Sequence, residues 1–161
     1  MPKFQKARQV PLAQKKIVDE ALDKLINDGI IESVQFSDYA SPIVPVLKDN
    51  TMRICVDFKK LNSVINIEKY PLPKFEDILS VIGHNTFFCK LDLKQAYLQL
   101  IVSAEDQKYL VISTERGLFK YKRLAFGLAS APAIFQRFIS QLLGNIEGVS
   151  CYLDDIIVKL A

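Results

Sequence analysis

The sequence predicts an α+β fold in which a small antiparallel sheet is backed by helices. Three observations carry that expectation. Three stretches repeat apolar residues at helical spacing. Between them lie short apolar runs bounded by Gly, Pro, Asn and Asp, which read as strands joined by tight turns. No internal repeat, low-complexity tract or linker divides the 161 residues, so one domain's worth of chain must hold all of these elements.

In chain order, residues 1–10 are polar and basic, with Lys3, Lys6 and Arg8, and form an extended lead-in to Pro11. Ile17, Val18, Ala21, Leu22 and Leu25 then mark one face of a helix over Gln14–Asn27, stopped by Gly29. Ile43–Leu47 and Arg53–Phe58 read as a hairpin around a Lys48-Asp49-Asn50 turn. After Asn62 the Y-P-L-P run at Tyr70–Pro73 breaks regular structure. A second helix follows, with Phe75, Ile78, Leu79 and Ile82 at i, i+3, i+4 and i+7 before Gly83. Thr86–Leu93 alternates as a strand, with Phe87, Cys89, Leu91 and Leu93 on one side and Phe88, Lys90 and Asp92 on the other. A short helical turn over Leu93–Tyr97 follows, which Asp92 could cap. Leu98–Val102, Tyr109–Ser113 and Leu118–Tyr121 read as three more strands. Ser130 and Pro132 open the last helix, patterned by Phe135, Phe138, Ile139 and Leu142 and ended at Gly144. Val149–Val158 closes the pattern as a hairpin with Asp154 and Asp155 at its tip.

Composition excludes several function classes. Hydrophobic residues make up 50% of the chain, too many for disorder. A net charge of +3 permits a polyanionic partner without requiring one. Cys55, Cys89 and Cys151 lack any C-x-x-C spacing and stand in apolar runs, as buried free thiols do, which fits a reducing compartment. A single histidine, His84, leaves no His-Cys zinc set, and a Ser-His-Asp triad would have to use a histidine beside a helix-ending glycine. Neither a secretory leader nor an apolar run of about 18 residues is present, so secretion and membrane spanning are not expected.

The chemistry-bearing residues are the acids. Adjacent carboxylates repel, so Asp154-Asp155 is either an ordinary acidic turn or a place where a cation binds. If the strand ending in Asp92 pairs with the strand entering or leaving that tip, the three acids meet in a cluster of hard oxygen donors that suits Mg²⁺. Lys48 and Arg53 would lie close together near their hairpin, as solvated cations or as an anion site. Lys120, Lys122 and Arg123 alternate with Phe119 and Tyr121, which suits a nucleic-acid surface or a lysine-blunted edge strand.

Six stretches in fixed order carry a resemblance to a known family. They are A-S-P-I-V-P-V at Ala40–Val46, R-I-C-V-D-F-K-K-L-N at Arg53–Asn62, Y-P-L-P at Tyr70–Pro73, K-L-D-L-K-Q-A-Y at Lys90–Tyr97, F-G-L-A-S-A-P-A-I-F-Q at Phe126–Gln136 and Y-L-D-D at Tyr152–Asp155. Together they resemble the reverse transcriptase of long-terminal-repeat retroelements, nearest to the Gypsy type, over nearly the whole chain.

The resemblance implies a right-hand polymerase with fingers at about 1–67 and 100–130 and palm at about 68–99 and 131–161. It implies an RNA-directed DNA polymerase that transfers deoxynucleotides to a primer 3′-hydroxyl on an RNA or DNA template. Asp92, Asp154 and Asp155 match the catalytic metal ligands, with two Mg²⁺ ions about 3.5 to 4 Å apart and Mn²⁺ as a substitute. Lys48, Arg53, the backbone amides of Gln95 and Ala96, Tyr97 and Phe126 match contacts to the incoming deoxynucleoside triphosphate, Tyr97 closing off the sugar's 2′ position unless it is a plain core tyrosine. Gln136, Lys120, Lys122 and Arg123 are expected beside nucleic acid. The chain ends just past the acid pair, so the thumb is expected to be absent and the chain to be a fragment of a larger Pol polyprotein. It is expected in a cytoplasmic retroelement particle or in the nucleus. The alternative is a noncatalytic nucleic-acid-binding or interaction remnant of such a polymerase.

Overall fold

The structure, a computed structural model, describes residues 4–48, 51–83 and 87–159. Lys3, Asp49 and Asn50 of the expected turn, His84, Thr86 and the last two residues lie outside that set. In chain order the elements are α1 (Leu12–Asn27), β1 (Ile31–Val34), β2 (Ser41–Lys48), β3 (Thr51–Val56), α2 (Lys59–Asn62), α3 (Phe75–Ile82), β4 (Phe88–Asp92), β5 (Val111–Thr114), β6 (Gly117–Tyr121), α4 (Ala131–Leu143), β7 (Val149–Tyr152) and β8 (Asp155–Lys159). They divide into two compact units, Met1–Asn66 with Leu98–Leu128, and Ile67–Tyr97 with Ala129–Ala161.

The first unit is built on a five-stranded sheet in the order β1-β6-β5-β2-β3. α1 starts directly after Pro11, two residues before the expected start at Gln14, because proline's fixed φ suits a helix entrance and needs no N–H partner. Its buried face, Val18 and Leu22, lies against the sheet. At its end the amides of Asp28 and Gly29 bond back to Lys24 and Ile26 carbonyls, with Gly29 at φ 67° reversing the chain. Ile43, Met52, Ile112, Phe119 and Tyr121 are among the residues that fill the core. The lead-in is pinned: Phe4 bridges Ala40, the Gln5 amide donates to the Ala40 carbonyl at 2.9 Å, and Arg8 pairs with Asp57.

Two elements differ from expectation. Leu98–Val102 is not a strand: a 3₁₀ turn over Ala96–Gln99 consumes its start, and only Ile101 bridges Arg123. The Val102 amide donates to the Lys122 carbonyl at 3.0 Å and the Leu124 amide to the Leu100 carbonyl at 2.9 Å, but with its start taken by the turn the run pairs through this one bridge and does not extend into a ladder. Tyr109 sits in a second 3₁₀ turn, Gln107–Tyr109, which delays β5 to Val111. The sheet is also mixed, since β2 and β5 run parallel through Ser41–Ile112 and Pro42–Ser113.

The second unit is a three-stranded antiparallel sheet in the order β4-β8-β7 with α3 and α4 packed on it. α3 is started by the Lys74 amide donating to the Asp77 carboxylate at 2.9 Å while the Asp77 amide donates to the Lys74 carbonyl at 3.1 Å, and it ends at Gly83 with φ 63°. Ile78 is buried there while Phe75 and Leu79 stay exposed. In α4 the buried residues are Ala131, Phe135, Gln136 and Ile139, whereas Phe138 and Leu142 are exposed. The core face is thus rotated from the expected apolar stripe towards Gln136. Cys151 is buried, as expected; Cys55 and Cys89 are only half-buried.

Candidate active site

The acids are assembled by strand register. β4 and β8 pair antiparallel with Asp92 directly opposite Asp155, and β7 and β8 pair with Tyr152 opposite Asp155. Opposed residues of an antiparallel pair point to the same face, so the Asp92 and Asp155 side chains share one side of the sheet. Leu153 and Asp154 form the two-residue turn between β7 and β8, and the Asp154 carbonyl accepts a hydrogen bond from the Leu93 amide at 2.9 Å. All three acids therefore stand at one end of a single small sheet.

Lys90 belongs to the same group and was not singled out by its sequence. It lies two residues before Asp92 on β4, hence on the same face, and its Nζ is 2.8 Å from an Asp155 carboxylate oxygen. The Asp155 hydrogen bond and charge, followed by the charges of Asp92 and Asp154, hold the Lys90 ammonium above the usual lysine range.

The turn is held from below. Leu153 takes φ 53°, a left-handed conformation that a branched residue avoids. Its amide donates to the Gln136 side-chain oxygen at 2.7 Å, and the Gln136 amide group donates to the Ser140 hydroxyl at 3.0 Å and to the Cys151 carbonyl at 3.1 Å. Gln136, expected beside nucleic acid, is 0% exposed and its polar atoms are engaged inside the unit. The helix α4 thus reaches the acid turn through one fully buried side chain.

Tyr97 is half-buried, with its ring 5.4 Å from that of Phe135 and tilted by 55°. Burial, then the nearby Asp154 charge, raises its hydroxyl above the usual tyrosine range. Gln95 sits at φ 53° just before the 3₁₀ turn that Ala96 opens. The site end of the second unit therefore holds a strained backbone at both Gln95 and Leu153.

The remaining expected residues lie in the first unit. Val46 pairs with Arg53 and Lys48 with Thr51, so Lys48 and Arg53 share one face of the β2–β3 hairpin. The Arg53 guanidinium stands 5.9 Å from the centre of the Phe126 ring, a cation–π distance. Gly127 follows with φ 94°, and a Cβ there would come 3.3 Å from the Val56 carbonyl oxygen, which accounts for glycine in F-G. Its carbonyl accepts from the Asn62 side chain at 2.9 Å. The basic strand is partly neutralised, since Lys120 and Lys122 lie 3.5 and 3.4 Å from Glu32 carboxylate oxygens. Lys120, then Lys122, keeps the Glu32 carboxyl below its usual range. Arg123 donates to the Gln99 carbonyl at 3.1 Å.

Three aspartates form a set of hard oxygen donors that fits a divalent cation. Among the described residues, however, no three such side chains converge tightly enough to hold a metal as they stand. The backbone brings the acids together, and Asp155 is turned to Lys90.

Residues 46–161 match the family model described as reverse transcriptase (RNA-dependent DNA polymerase). An uncharacterized protein of Caenorhabditis elegans is 41% identical over 163 aligned positions, which cover 99% of this chain and 13% of that protein. The Transposon Tf2-3 polyprotein of Schizosaccharomyces pombe is 37% identical over 157 positions, covering 94% of this chain and 12% of the polyprotein. The chain thus spans about an eighth of the length of these relatives. Foamy viral protease-reverse transcriptase in complex with RNA/DNA hybrid matches with a TM-score of 0.86 at 24% identity, covering 99% of this chain and 21% of that one. The same protein in complex with double-stranded DNA also gives 0.86 at 24% identity, covering 99% and 34%. The expected α+β fold is therefore shared with a solved reverse transcriptase. Reverse transcriptases generally use a divalent metal.

Proposed function

The chain belongs to the reverse transcriptase family, and we propose that it is the fingers and palm of an RNA-directed DNA polymerase that extends a primer 3′-hydroxyl on an RNA or DNA template. The observation that carries this is the register of β4 and β8, which sets Asp92 opposite Asp155 with Asp154 in the adjoining turn. We assign the palm, expected at 68–99 and 131–161, to the second unit, and the fingers, expected at 1–67 and 100–130, to the first.

In the palm, Asp92, Asp154 and Asp155 would hold two Mg²⁺ ions, or Mn²⁺ in their place. When bound, such ions supply activation of the attacking hydroxyl and stabilisation of the leaving pyrophosphate. The chain's own residues hold and orient. Gln136 keeps the acid turn in its strained form, and the amides of Gln95 and Ala96 open a helical turn where phosphate oxygens can be bound. Tyr97, braced on Phe135, is placed to close the sugar's 2′ position, so that an added oxygen would clash with the ring. In the fingers, Lys48 and Arg53 present two cations on one hairpin face to triphosphate oxygens, with Phe126 beneath the guanidinium. Lys120, Lys122 and Arg123 contribute a basic strand for template or primer phosphates once Glu32 is outcompeted. Gln136 enters as a support of the tip in place of a nucleic-acid contact.

The partners of this reading are a primed RNA or DNA template, deoxynucleoside triphosphates and the remainder of a Pol polyprotein, met in a cytoplasmic retroelement particle or the nucleus. Deoxynucleoside triphosphate binding tests it. Binding should require Mg²⁺ and be lost in Asp154→Asn while the far-UV circular dichroism is unchanged. Nucleotide binding indifferent to both Mg²⁺ and Asp154→Asn would overturn the proposal.

A further inference from the structure

We propose that Lys90 is a resident counter-ion of the acid cluster, a positioning residue that divalent cations must displace from Asp155 before the three carboxylates can close on a metal. The inference rests on the metal-site reading above and concerns a residue that reading does not use.

The sequence places Lys90 and Asp92 on one face of β4 by the two-residue alternation of a strand. Register places Asp155 opposite Asp92 on β8, diagonal to Lys90, and a lysine stem spans that diagonal. Its Nζ lies 2.8 Å from Asp155, so one carboxylate of the proposed metal set is already engaged by a cation from the same protein. The remaining geometry agrees. The three aspartates stand together on the backbone, yet they do not form a closed ligand group among the described residues. A lysine on Asp155 accounts for both facts: it relieves repulsion among adjacent carboxylates and holds one of them out of a shared focus.

The physical consequence is a competition. Without a divalent cation, Lys90 stabilises the acid face by neutralising it. With one, the ammonium is a like charge a few ångströms from the ion and must leave Asp155. Its removal should therefore raise metal affinity and lower metal-free stability at the same time, a pairing that a merely structural lysine would not produce. For a unit charge near a divalent ion at a partly exposed site, the expected change in affinity is about tenfold.

Mn²⁺ binding to the 161-residue chain, followed by electron paramagnetic resonance, tests this alongside thermal melting in chelator. Lys90→Met keeps the stem and removes the charge. It should bind Mn²⁺ about tenfold more tightly than wild type, melt lower in chelator, and gain more from added Mn²⁺. Lys90→Arg, which keeps the charge, should bind like wild type or more weakly. Equal Mn²⁺ affinity of Lys90→Met and wild type, with both lost in Asp92→Asn, would overturn the role of Lys90 and leave the metal site standing. Mn²⁺ binding unaffected by Asp92→Asn would overturn the metal reading, and this inference with it.

Discussion

Replacing Gln136 with leucine removes a buried side chain that ties α4 to the acid turn. The Leu153 amide loses its acceptor at 2.7 Å, and the Cys151 carbonyl and Ser140 hydroxyl lose donors at 3.1 and 3.0 Å. Leucine has nearly the same volume, so the cavity contribution is small and the loss is chiefly polar. A buried group left without its partner costs about 1–3 kcal/mol. The Ser140 hydroxyl keeps its contact with the Cys151 sulfur at 3.8 Å, so we expect a total of about 2–4 kcal/mol. Against a total stability of about 5–15 kcal/mol this is a large fraction. With a urea slope of about 2 kcal/mol per molar, the unfolding midpoint should fall by about 1–2 M without a change in slope. Amide hydrogen exchange adds a local reading, since Leu153 should lose protection more than residues in the middle of β7 and β8. Gln136→Glu keeps an acceptor for the Leu153 amide and should preserve more of that local protection. A midpoint unmoved in Gln136→Leu, or an unchanged Leu153 exchange rate, would refute the reasoning.

Two further outcomes follow from the first unit. Gly127→Ala forces a Cβ to 3.3 Å from the Val56 carbonyl at φ 94°, and should destabilise by about 1–3 kcal/mol in urea unfolding; wild-type stability would contradict the close approach. Asp57 has its carboxyl held below the usual range, first by the Lys59 amide and then by Arg8, so its contribution is full above the unfolded value of about 4 and is lost as pH falls through the lower folded value. The melting gap between wild type and Asp57→Asn should therefore be constant from neutral pH down to about pH 4 and narrow below it; a gap that stays constant to pH 2 would count against the pairing.

Much of this architecture was legible in the residues because it rests on local signals. The α1 and α3 stops at Gly29 and Gly83, the β2–β3 hairpin and the β7–β8 hairpin all follow from turn chemistry and apolar spacing. The acids were legible as a set, since strand ends and a hairpin tip are local features. What escaped depends on partners distant in sequence. β1, only Ile31–Val34, is a strand because β6 offers it a complete register. Leu98–Val102 has strand-like residues, but the 3₁₀ turn over Ala96–Gln99 takes its start and leaves a single bridge, Ile101 to Arg123. Lys90 looked like one more exposed strand lysine, because its contact exists only once β4 and β8 are aligned. Gln136 carried a usable signal: it lies beside Phe135 and three residues before Ile139, so a polar residue stood next to the buried stripe of α4. A glutamine there needs partners, and the nearest strained turn supplies them.

The central claim is that Asp92, Asp154 and Asp155 bind a divalent cation at one end of the β4–β8–β7 sheet. Paramagnetic broadening of backbone amide signals by substoichiometric Mn²⁺ tests it directly, because the effect falls steeply with distance from the ion. The account predicts that the amides of Asp92, Leu93, Asp154 and Asp155 broaden first, and that Asp154→Asn removes the effect. Broadening centred on the acidic residues of the first unit, such as Asp19, Asp23 or Glu32, or broadening that survives Asp154→Asn, would contradict it.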